Sequence, residues 1–364
     1  MTEFDIRLTN LRAAMEAAGV DLIAVGPTAN MRYLTGHVSH PDERVCLLMV
    51  SQDAAGLVVP RLNADEWAAH TNLPLYPWAD ADGPEAALRA GLAGLGRVKQ
   101  LAFDGATRAD FLLALWEVAR PERTLPAETL IRPLRVRKSA QEVESLARAA
   151  DQADRAMQAA IAICRPGVTE AAVAWAAEAA FRQDGAEEVC FTLVAAGPNG
   201  AFPHHHSSQR ALQVGDAVVI DIGASLDGYK SDITRMVFIG EPPAEFLRAY
   251  QAVLRANQRA RDAVRPGISA GEVDSAARAS LEADGYGPHF IHRTGHGLGL
   301  EGHEPPYIMA GNPMVLEEGM VFSIEPGVYF PGQFGVRIED IVVVSCDGCR
   351  NLTGFNHDLV VTYG

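Results

Sequence analysis

The chain has 364 residues, nearly half of them apolar, and carries 31 basic against 46 acidic side chains, for a net charge of −15. This length favours two domains or one large one, and the apolar fraction is sufficient for a sizeable core. The acidic balance argues against nucleic acid and against anionic membranes as partners, because both repel a negative surface.

The start of the chain and its cysteines favour a cytoplasmic protein. The first residues, MTEFDIRLTN, lack the basic-then-apolar pattern of a secretory signal. No apolar run approaches the roughly 20 residues that a membrane span needs. Five scattered cysteines fit a reducing compartment. Cys346 and Cys349 have redox-motif spacing, but the Asp-Gly pair between them favours a hairpin turn.

The N-terminal part is predicted to be an α/β unit of roughly 125 residues. Apolar spacing and turn signals predict helices over 5–19, 62–70, 84–94 and 107–119, strands over 21–25, 45–51, 56–59 and 98–103, and a structured loop over 30–36. Its histidines are isolated, which is typical of surface or loop residues. This part shows no recognisable catalytic cluster.

A linker and a helix start mark the domain boundary. Two prolines in the range 124–133 predict a linker. Ser139 followed by Glu142 forms a capping box ahead of a long Ala- and Glu-rich helix over 140–163. We therefore expect an N-terminal domain over 1–130 and a C-terminal domain over 131–364.

The C-terminal part contains an internal repeat. RPGVT at 165–169 recurs as RPGIS at 265–269, and the helical patterns that follow also match. The segment 215–223 then matches 319–327. Two copies of helix followed by hairpin predict a domain with pseudo-two-fold symmetry.

Each repeat ends in a predicted hairpin that brings two carboxylates together. Asp221 and Asp232 flank the turn at Leu226-Asp227-Gly228, so the fold-back places them side by side. Taken alone they would be ordinary strand-end aspartates. Glu325 and Glu339 flank a second turn in the same way. Four converging carboxylates repel one another strongly, and this predicts a cation between them.

Histidines lie between and beside the two hairpins. His292, His296 and His303 occur in a Gly-rich segment, and a His204-His205-His206 string follows Pro203. Carboxylates with an imidazole suit manganese, cobalt, iron or zinc rather than a soft copper-type site. A pair of such ions lowers the pKa of a bridging water, and this chemistry supports hydrolysis.

The segments IDIGA, SDITR, GHGLGLEGHE, SIEPG and GVRIED, within about 135–360, resemble the pita-bread metallopeptidases. That family includes methionine aminopeptidase, aminopeptidase P and prolidase. The N-terminal half, with NMRYLTGH and the RKS linker, resembles the creatinase/prolidase N-terminal domain, which favours the Xaa-Pro branch. The resemblance implies an α+β fold, with an N-terminal creatinase/prolidase-like α/β domain followed by a C-terminal pita-bread domain.

The resemblance also implies a role for each matching residue. Asp221 would chelate one metal ion, Asp232 and Glu339 would bridge two, and His296 and Glu325 would complete the other. Glu325 would also act as general base.

The matching histidines would act on substrate. His292 and His303 would contact it and stabilise the tetrahedral intermediate, and His204 matches the histidine after proline. His205 stands where the family has glycine, which leaves open which member of the string faces substrate.

The function expected is that of an Xaa-Pro dipeptidase, or prolidase, with two divalent ions per chain, manganese first and cobalt or zinc as alternatives. The second candidate is a small two-domain aminopeptidase P. Arg293 and Arg337 are candidates to hold the substrate carboxylate, although Arg337 would equally serve to orient the acids. A creatinase-like, metal-free amidine hydrolase or a non-enzymatic scaffold would lack ligands, and none is missing here. The resemblance further implies a homodimer.

Overall fold

The structure is a computed structural model that describes residues 2–363 and separates into two compact units, the first ending at Arg135 and the second beginning at Val136. The expected boundary between residues 130 and 131 falls inside the helix Glu128–Arg135. Within the described residues, no helix combines the length and the apolar character that crossing a membrane requires.

The first unit is a mixed six-stranded sheet with helices packed on it. Its helices are α1 (Glu3–Ala18), α2 (Ala29–Thr35), α3 (Ala64–His70), α4 (Glu85–Leu92), α5 (Ala109–Ala119) and α6 (Glu128–Arg135). Its strands are β1 (Leu22–Val25), β2 (Leu47–Val50), β3 (Ala55–Pro60), β4 (Leu75–Trp78), β5 (Gln100–Phe103) and β6 (Arg123–Pro126), in the order β4-β3-β2-β1-β5-β6. The predicted α/β character of this unit is confirmed.

Two segments of the first unit differ from their prediction. Residues 30–36 belong largely to helix α2 rather than to a loop, with Thr28 capping its start and Gly36 ending it at φ 80°. This helix has only seven residues, too few to show a helical period. The segment expected to be a linker instead forms β6 and α6. Helix α6 buries the side chains of Leu130 and Ile131, and its proline, Pro133, lies close to the helix end.

The second unit contains two matching helix pairs. They are α7 (Ala140–Ala162) with α8 (Glu170–Gln183), and α9 (Ala244–Ala263) with α10 (Ala270–Ala283). Both loops between the paired helices are tied down alike, since Gly167 N donates to Leu212 O and Gly267 N donates to Leu316 O. The repeat predicted from sequence is therefore present in the backbone.

Each helix pair is followed by a five-stranded sheet. The strands are β7 (Glu188–Ala196), β8 (Ala217–Leu226), β9 (Tyr229–Lys230), β10 (Ile233–Ile239), β11 (Gly295–Gly297), β12 (Glu304–Ile308), β13 (Val321–Ile324), β14 (Gly327–Phe330), β15 (Phe334–Arg337), β16 (Asp340–Ser345), β17 (Gly348–Asn351) and β18 (Val360–Thr362). One sheet has the order β18-β10-β8-β7 with β9 attached to β8, the other the order β12-β11-β13-β16-β17, and β14 pairs with β15 separately. Ser345 pairs with Gly348, which confirms the hairpin turn predicted between the two cysteines.

Strand β8 is buried on both faces, and this fixes the direction of its aspartate. Val218 and Ile220 pack with α7 and α8, whereas Ala217 and Val219 pack with α9, α10 and the second sheet. Alternate strand residues share a face, so Asp221 points toward the second half of the unit. The fold thus turns the first carboxylate pair toward the second.

Candidate metal centre

The first hairpin brings Asp221 and Asp232 together with a small shift from the predicted register. Asp227 and Gly228 form its two-residue turn with φ values of 52° and 83°, the left-handed pair that suits a tight hairpin. Thr234, rather than Asp232, pairs with Asp221. Asp232 lies two residues earlier on the same face and is therefore a diagonal neighbour. Burial, followed by the charge of Asp221, holds the pKa of Asp232 well above its usual range.

The second hairpin places Glu325 and Glu339 opposite each other. The pair Ile324–Asp340 lies on one side of them and the pair Gly327–Arg337 on the other, and both keep the same register. Asn257, buried on α9, donates from Nδ2 to the carbonyl oxygens of Ile324 and Ile338, at 3.0 and 3.3 Å. One helix side chain thus holds the backbone just before each glutamate.

His296 completes a group with the geometry of a metal site. Ligand atoms of Asp232, His296 and Glu339 all lie within 4.8 Å of one another. His296 Nε2 is 3.3 Å from Glu325 Oε1, and its Nδ1 is 3.2 Å from Gly297 O. We assign the proton to Nδ1, which leaves the Nε2 lone pair directed at the acids. Burial, followed by His303, lowers the pKa of His296 to about 3, so the ring is neutral.

The carboxylates are crowded and incompletely satisfied. Burial raises the pKa of Glu325 to about 7 and places that of Glu339 well above its usual range, with nearby acids adding to both shifts. Among residues 2–363, Asp221 Oδ1 and Glu339 Oε1 are buried without a hydrogen-bond partner. These carboxylate oxygens without hydrogen-bond donors, the crowding of acidic groups and the neutral imidazole together form a set of ligand atoms that fits divalent cations.

A hydrogen-bonded chain runs along one side of these acids. Arg337 donates to Asp221 Oδ2 at 2.5 Å, to Thr234 Oγ1 at 3.2 Å and to the Tyr329 hydroxyl at 2.9 Å. Tyr329 Oη lies 2.9 Å from His292 Nε2, and His292 Nδ1 lies 2.7 Å from the carbonyl of Arg293. Burial lowers the pKa of His292 to about 4, so the neutral ring donates from Nδ1 and accepts from Tyr329.

The three consecutive histidines have different surroundings. His205 Nε2 lies 2.9 Å from a side-chain oxygen of Glu170, which is fully buried at the start of α8. Glu170 also accepts hydrogen bonds from Ala196 N, Asn199 Nδ2 and Ser208. His205 is thus bonded to the scaffold, while His204 and His206 are exposed. His205 therefore ties the histidine loop to α8.

One cavity of 1240 Å³ is lined by all the site residues that were predicted from the sequence. Its walls include the ten predicted site residues, His204, Asp221, Asp232, His292, Arg293, His296, His303, Glu325, Arg337 and Glu339. The His303 ring packs against that of His296, with the ring centroids 3.9 Å apart and the ring planes tilted by 51°. Phe191, Phe202 and Ile291 are exposed at the same cavity and give it an apolar rim.

Tyr329 and Thr234 were not predicted from the sequence. An aromatic or a threonine within an apolar strand usually belongs to the core, and nothing local marks either one as part of a site. The sequence signal that could have identified them is the two-residue period of side chains along an extended strand. Tyr329 follows Glu325 by four residues and Thr234 follows Asp232 by two, so each lies an even number of residues from a predicted ligand, as residues on one face of an extended segment do.

Comparison with known proteins decides the family. The model of metallopeptidase family M24 matches residues 144–345, and that of the creatinase/prolidase N-terminal domain matches residues 7–137. The chain belongs to metallopeptidase family M24. Membership implies a hydrolase that cuts peptide bonds with divalent metal ions, in agreement with the donor set described above.

Relatives within the M24 family cover nearly the whole chain. A probable dipeptidase PepE of Mycobacterium tuberculosis is 39% identical over 363 residues, 98% of this chain and 96% of the relative. An Xaa-Pro dipeptidase of Pyrococcus furiosus is 34% identical over 97% of this chain and 99% of its own length. Crystal structures of dipeptidase PepE from Mycobacterium ulcerans and of the prolidase from Pyrococcus horikoshii both superpose with a TM-score of 0.91, at 40% and 32% identity. The first covers 100% of this chain and 98% of the relative, and the second 98% and 100%. The predicted two-domain M24 fold is therefore confirmed.

Proposed function

We propose that this protein is an Xaa-Pro dipeptidase, which hydrolyses the bond before proline in a dipeptide. The observation that carries the proposal is the convergence of Asp232, His296 and Glu339 with Asp221 and Glu325 in one cavity. Relatives that share 34 and 35% identity over nearly the whole chain are Xaa-Pro dipeptidases, which supports the choice of substrate.

Five side chains would hold the metal ions: Asp221, Asp232, His296, Glu325 and Glu339. We propose two ions per chain, with manganese preferred and cobalt or zinc as alternatives, because oxygen-rich sites with one imidazole favour hard or borderline ions. Bound there, the ions supply Lewis-acid chemistry that polarises the scissile carbonyl and lowers the pKa of the attacking water.

The remaining groups of the cavity handle protons and position the substrate. Glu325 accepts the proton of the attacking water, since its carboxylate borders both His296 and the open cavity. His303 and His204 line the cavity and contact the carbonyl as charge develops on it. Both ring nitrogens of His292 are bonded within the protein, so we give it the task of holding Tyr329 beside Arg337.

The competing function is that of an aminopeptidase P, which removes the first residue from longer Xaa-Pro peptides. An X-Pro aminopeptidase of Thermotoga maritima superposes with a TM-score of 0.86 at 29% identity. The two functions share the metal centre and differ in what lies beyond the proline. Peptide length is therefore the property that separates them.

The test uses the chain stripped of metal by a chelator and then supplied with manganese, cobalt or zinc. We expect about two metal equivalents per chain, hydrolysis of Ala-Pro, and far slower cleavage of Ala-Pro-Pro and Met-Ala-Ala. Glu325→Gln, purified in parallel, detects contaminating peptidases and should be inactive. Faster cleavage of Ala-Pro-Pro would establish the aminopeptidase instead, and activity without bound metal would overturn the metal assignment.

We also propose a homodimer in the cytoplasm, the state implied by the family resemblance. The five cysteines are all free, which suits a reducing compartment. Light scattering of the purified chain measures its mass against the 39.0 kDa of a single chain. A mass of one chain across the working concentration range would contradict the dimer.

A further inference from the structure

His303 lies at the metal-centre cavity on a glycine-rich loop. The loop, residues 298–303, joins β11 to β12, and the exposed ring of His303 packs against the His296 ring. Within residues 2–363, the His303 ring makes no hydrogen bond. Gly299 and Gly302 give the loop more backbone freedom than other residues would. The direction of His303 therefore depends on contacts that hold the loop from behind.

Glu304, the residue directly after His303, provides such contacts. Its carboxylate accepts a hydrogen bond from Glu301 N at 3.4 Å. The same carboxylate lies over Gly299, where a Cβ would come within 2.6 Å of Glu304 Oε1. The Glu304 backbone pairs with Gly297 across the β11–β12 ladder. Glu304 thus contacts both the start and the middle of the loop that carries His303.

The charge of Glu304 is balanced by Lys138, near the start of the second unit. Lys138 Nζ lies 2.7 Å from Glu304 Oε1, and the two side chains are only 2% and 4% exposed. The Lys138 backbone is also fixed, because its N donates to Gly319 O at 2.8 Å. A buried ion pair adds little net stability compared with apolar side chains of similar volume. Stability alone therefore does not account for this pair.

The ion pair lies behind the loop and outside the cavity. Cavity walls formed by residues 2–363 include His303 but neither Lys138 nor Glu304. Any effect of the pair on the reaction therefore passes through the loop. A displacement of about 1 Å in a group that contacts the substrate can cost roughly 100-fold in rate.

We propose that the ion pair of Lys138 with Glu304 positions His303 for catalysis. It holds the loop so that the His303 ring stays against His296 and faces the cavity. This inference rests on the peptidase function proposed above, in which His303 contacts the substrate carbonyl as charge develops on it. Lys138 and Glu304 are positioning residues, since neither one touches the substrate.

The test is a double-mutant cycle between Lys138 and His303. Lys138→Met removes the charge from a side chain of similar length. It should lower kcat for Ala-Pro by about 10- to 100-fold and leave KM and bound metal unchanged, because the lost interaction belongs to the transition state. In the His303→Ala background the same substitution should change kcat by less than about twofold, because both changes remove one interaction.

Two outcomes of this cycle would overturn the proposal. Equal losses of kcat with and without His303 would indicate a general loosening of the fold, which does not depend on that ring. Loss of bound metal from Lys138→Met would show that the pair acts on the metal ligands instead of on His303.

Arg137→Met is the matched control, because it removes a cation from the neighbouring residue. Arg137 pairs with Glu317 at 3.0 Å, and both side chains are more than half exposed. This variant should leave kcat and KM for Ala-Pro unchanged. A loss as large as that of Lys138→Met would mean that any change in this segment disturbs the site, and the specific role of the buried pair would be refuted.

A second variant separates positioning from folding. Lys138→Met leaves the Glu304 carboxylate buried without its cation, which destabilises the fold. The combination of Lys138→Met with Glu304→Leu leaves neither charge and should recover most of the lost thermal midpoint. Its kcat should remain low, because the carboxylate that holds Glu301 N is gone. If kcat recovered together with the thermal midpoint, the pair would have a structural role only. Should Lys138→Met fail to fold, this combination takes its place in the cycle.

The ion-pair role and the proposed function can fail separately. If the wild type cleaves Ala-Ala but not Ala-Pro, the Xaa-Pro assignment is wrong, and the cycle is measured with Ala-Ala. If the wild type cleaves Ala-Pro and His303→Ala keeps the full kcat, the peptidase function stands and the positioning role is overturned.

Discussion

The two halves of the second unit have the same order of helices and hairpin but hold their carboxylates through different contacts. Each half supplies a helix pair and a hairpin with two carboxylates. In the second half, Asn257 on α9 holds the backbone before both glutamates. The matching position on α7 is Met157, which is buried in the apolar core. The first half lacks this polar tie and instead has Asp221 held by Arg337, a residue of the second half.

This difference shows which parts of the site follow from the internal repeat and which do not. The repeat supplies facing carboxylates, because a copied hairpin copies their position. The groups that make the site asymmetric lie outside the copied segments. His296 comes from the chain between α10 and β13, and His204 from the loop after β7.

The largest effect is expected from removing one carboxylate in either half. Asp232→Asn and Glu339→Gln should each lower metal-dependent turnover by more than about 100-fold, beyond the loss typical of groups outside the ligand set. Metal content measured by mass spectrometry should fall in both. If only one variant lost metal, the site would belong to one half, and the symmetric picture would be wrong.

Arg337 is the link between the halves, and its removal should cost folding stability. Arg337→Met leaves Asp221 without its partner beside other acids, and breaking such a buried pair costs about 3–5 kcal/mol. Urea unfolding of the metal-free protein measures the change. Arg293→Met is the matched control and should cost far less, because no ion pair involves Arg293 within residues 2–363. Equal losses would contradict the role of Arg337 as the link between the halves.

The crowded acids also predict how pH affects the metal-free protein. The folded-state pKa of Glu325, about 7, lies above the value near 4.3 of an unfolded chain. The folded form therefore binds this proton more tightly, and its stability should rise as pH falls from about 8 toward 5. The slope approaches about 1.4 kcal/mol per pH unit below the folded pKa. Thermal unfolding of the wild type and of Glu325→Gln, measured across this pH range, isolates the contribution of Glu325. If the stability of the two proteins changed with pH in parallel, the raised pKa of Glu325 would be refuted.

The smallest expected effect distinguishes the structural role of His205 from the substrate role of His204, both in the first half. His205→Ala removes one of several hydrogen bonds to Glu170 and should lower the free energy of unfolding by about 1 kcal/mol. Within residues 2–363 His204 makes no such hydrogen bond, so His204→Ala should lower kcat/KM while leaving stability intact. Urea unfolding and Ala-Pro kinetics on both variants check the pair. The reverse outcome would mean that His205 is the member that faces substrate.

The parts of the fold and site that were predictable from sequence are those with local causes. Turn residues such as Gly228 and capping pairs such as Ser139 with Glu142 act over a few residues, so hairpins and helix starts could be read directly. Helix α2 was missed because seven residues show no period. Pro133 was misleading because a proline near a helix end resembles a linker.

Side chains whose role depends on distant partners could not be predicted. His205 is set by Glu170, which lies 35 residues away, and Tyr329 is set by Arg337 and His292. In each case the residue type is common in a core or loop, and only the tertiary fold shows the contact.

Asn257 has a consequence for protein engineering. Its single amide group spans the two backbones that carry Glu325 and Glu339, so the spacing of these glutamates is set from the helix behind the hairpin. Substituting the proposed ligands themselves to change metal preference risks losing the site. A substitution at position 257 would instead change the distance between two proposed ligands while all five proposed ligand residues are retained.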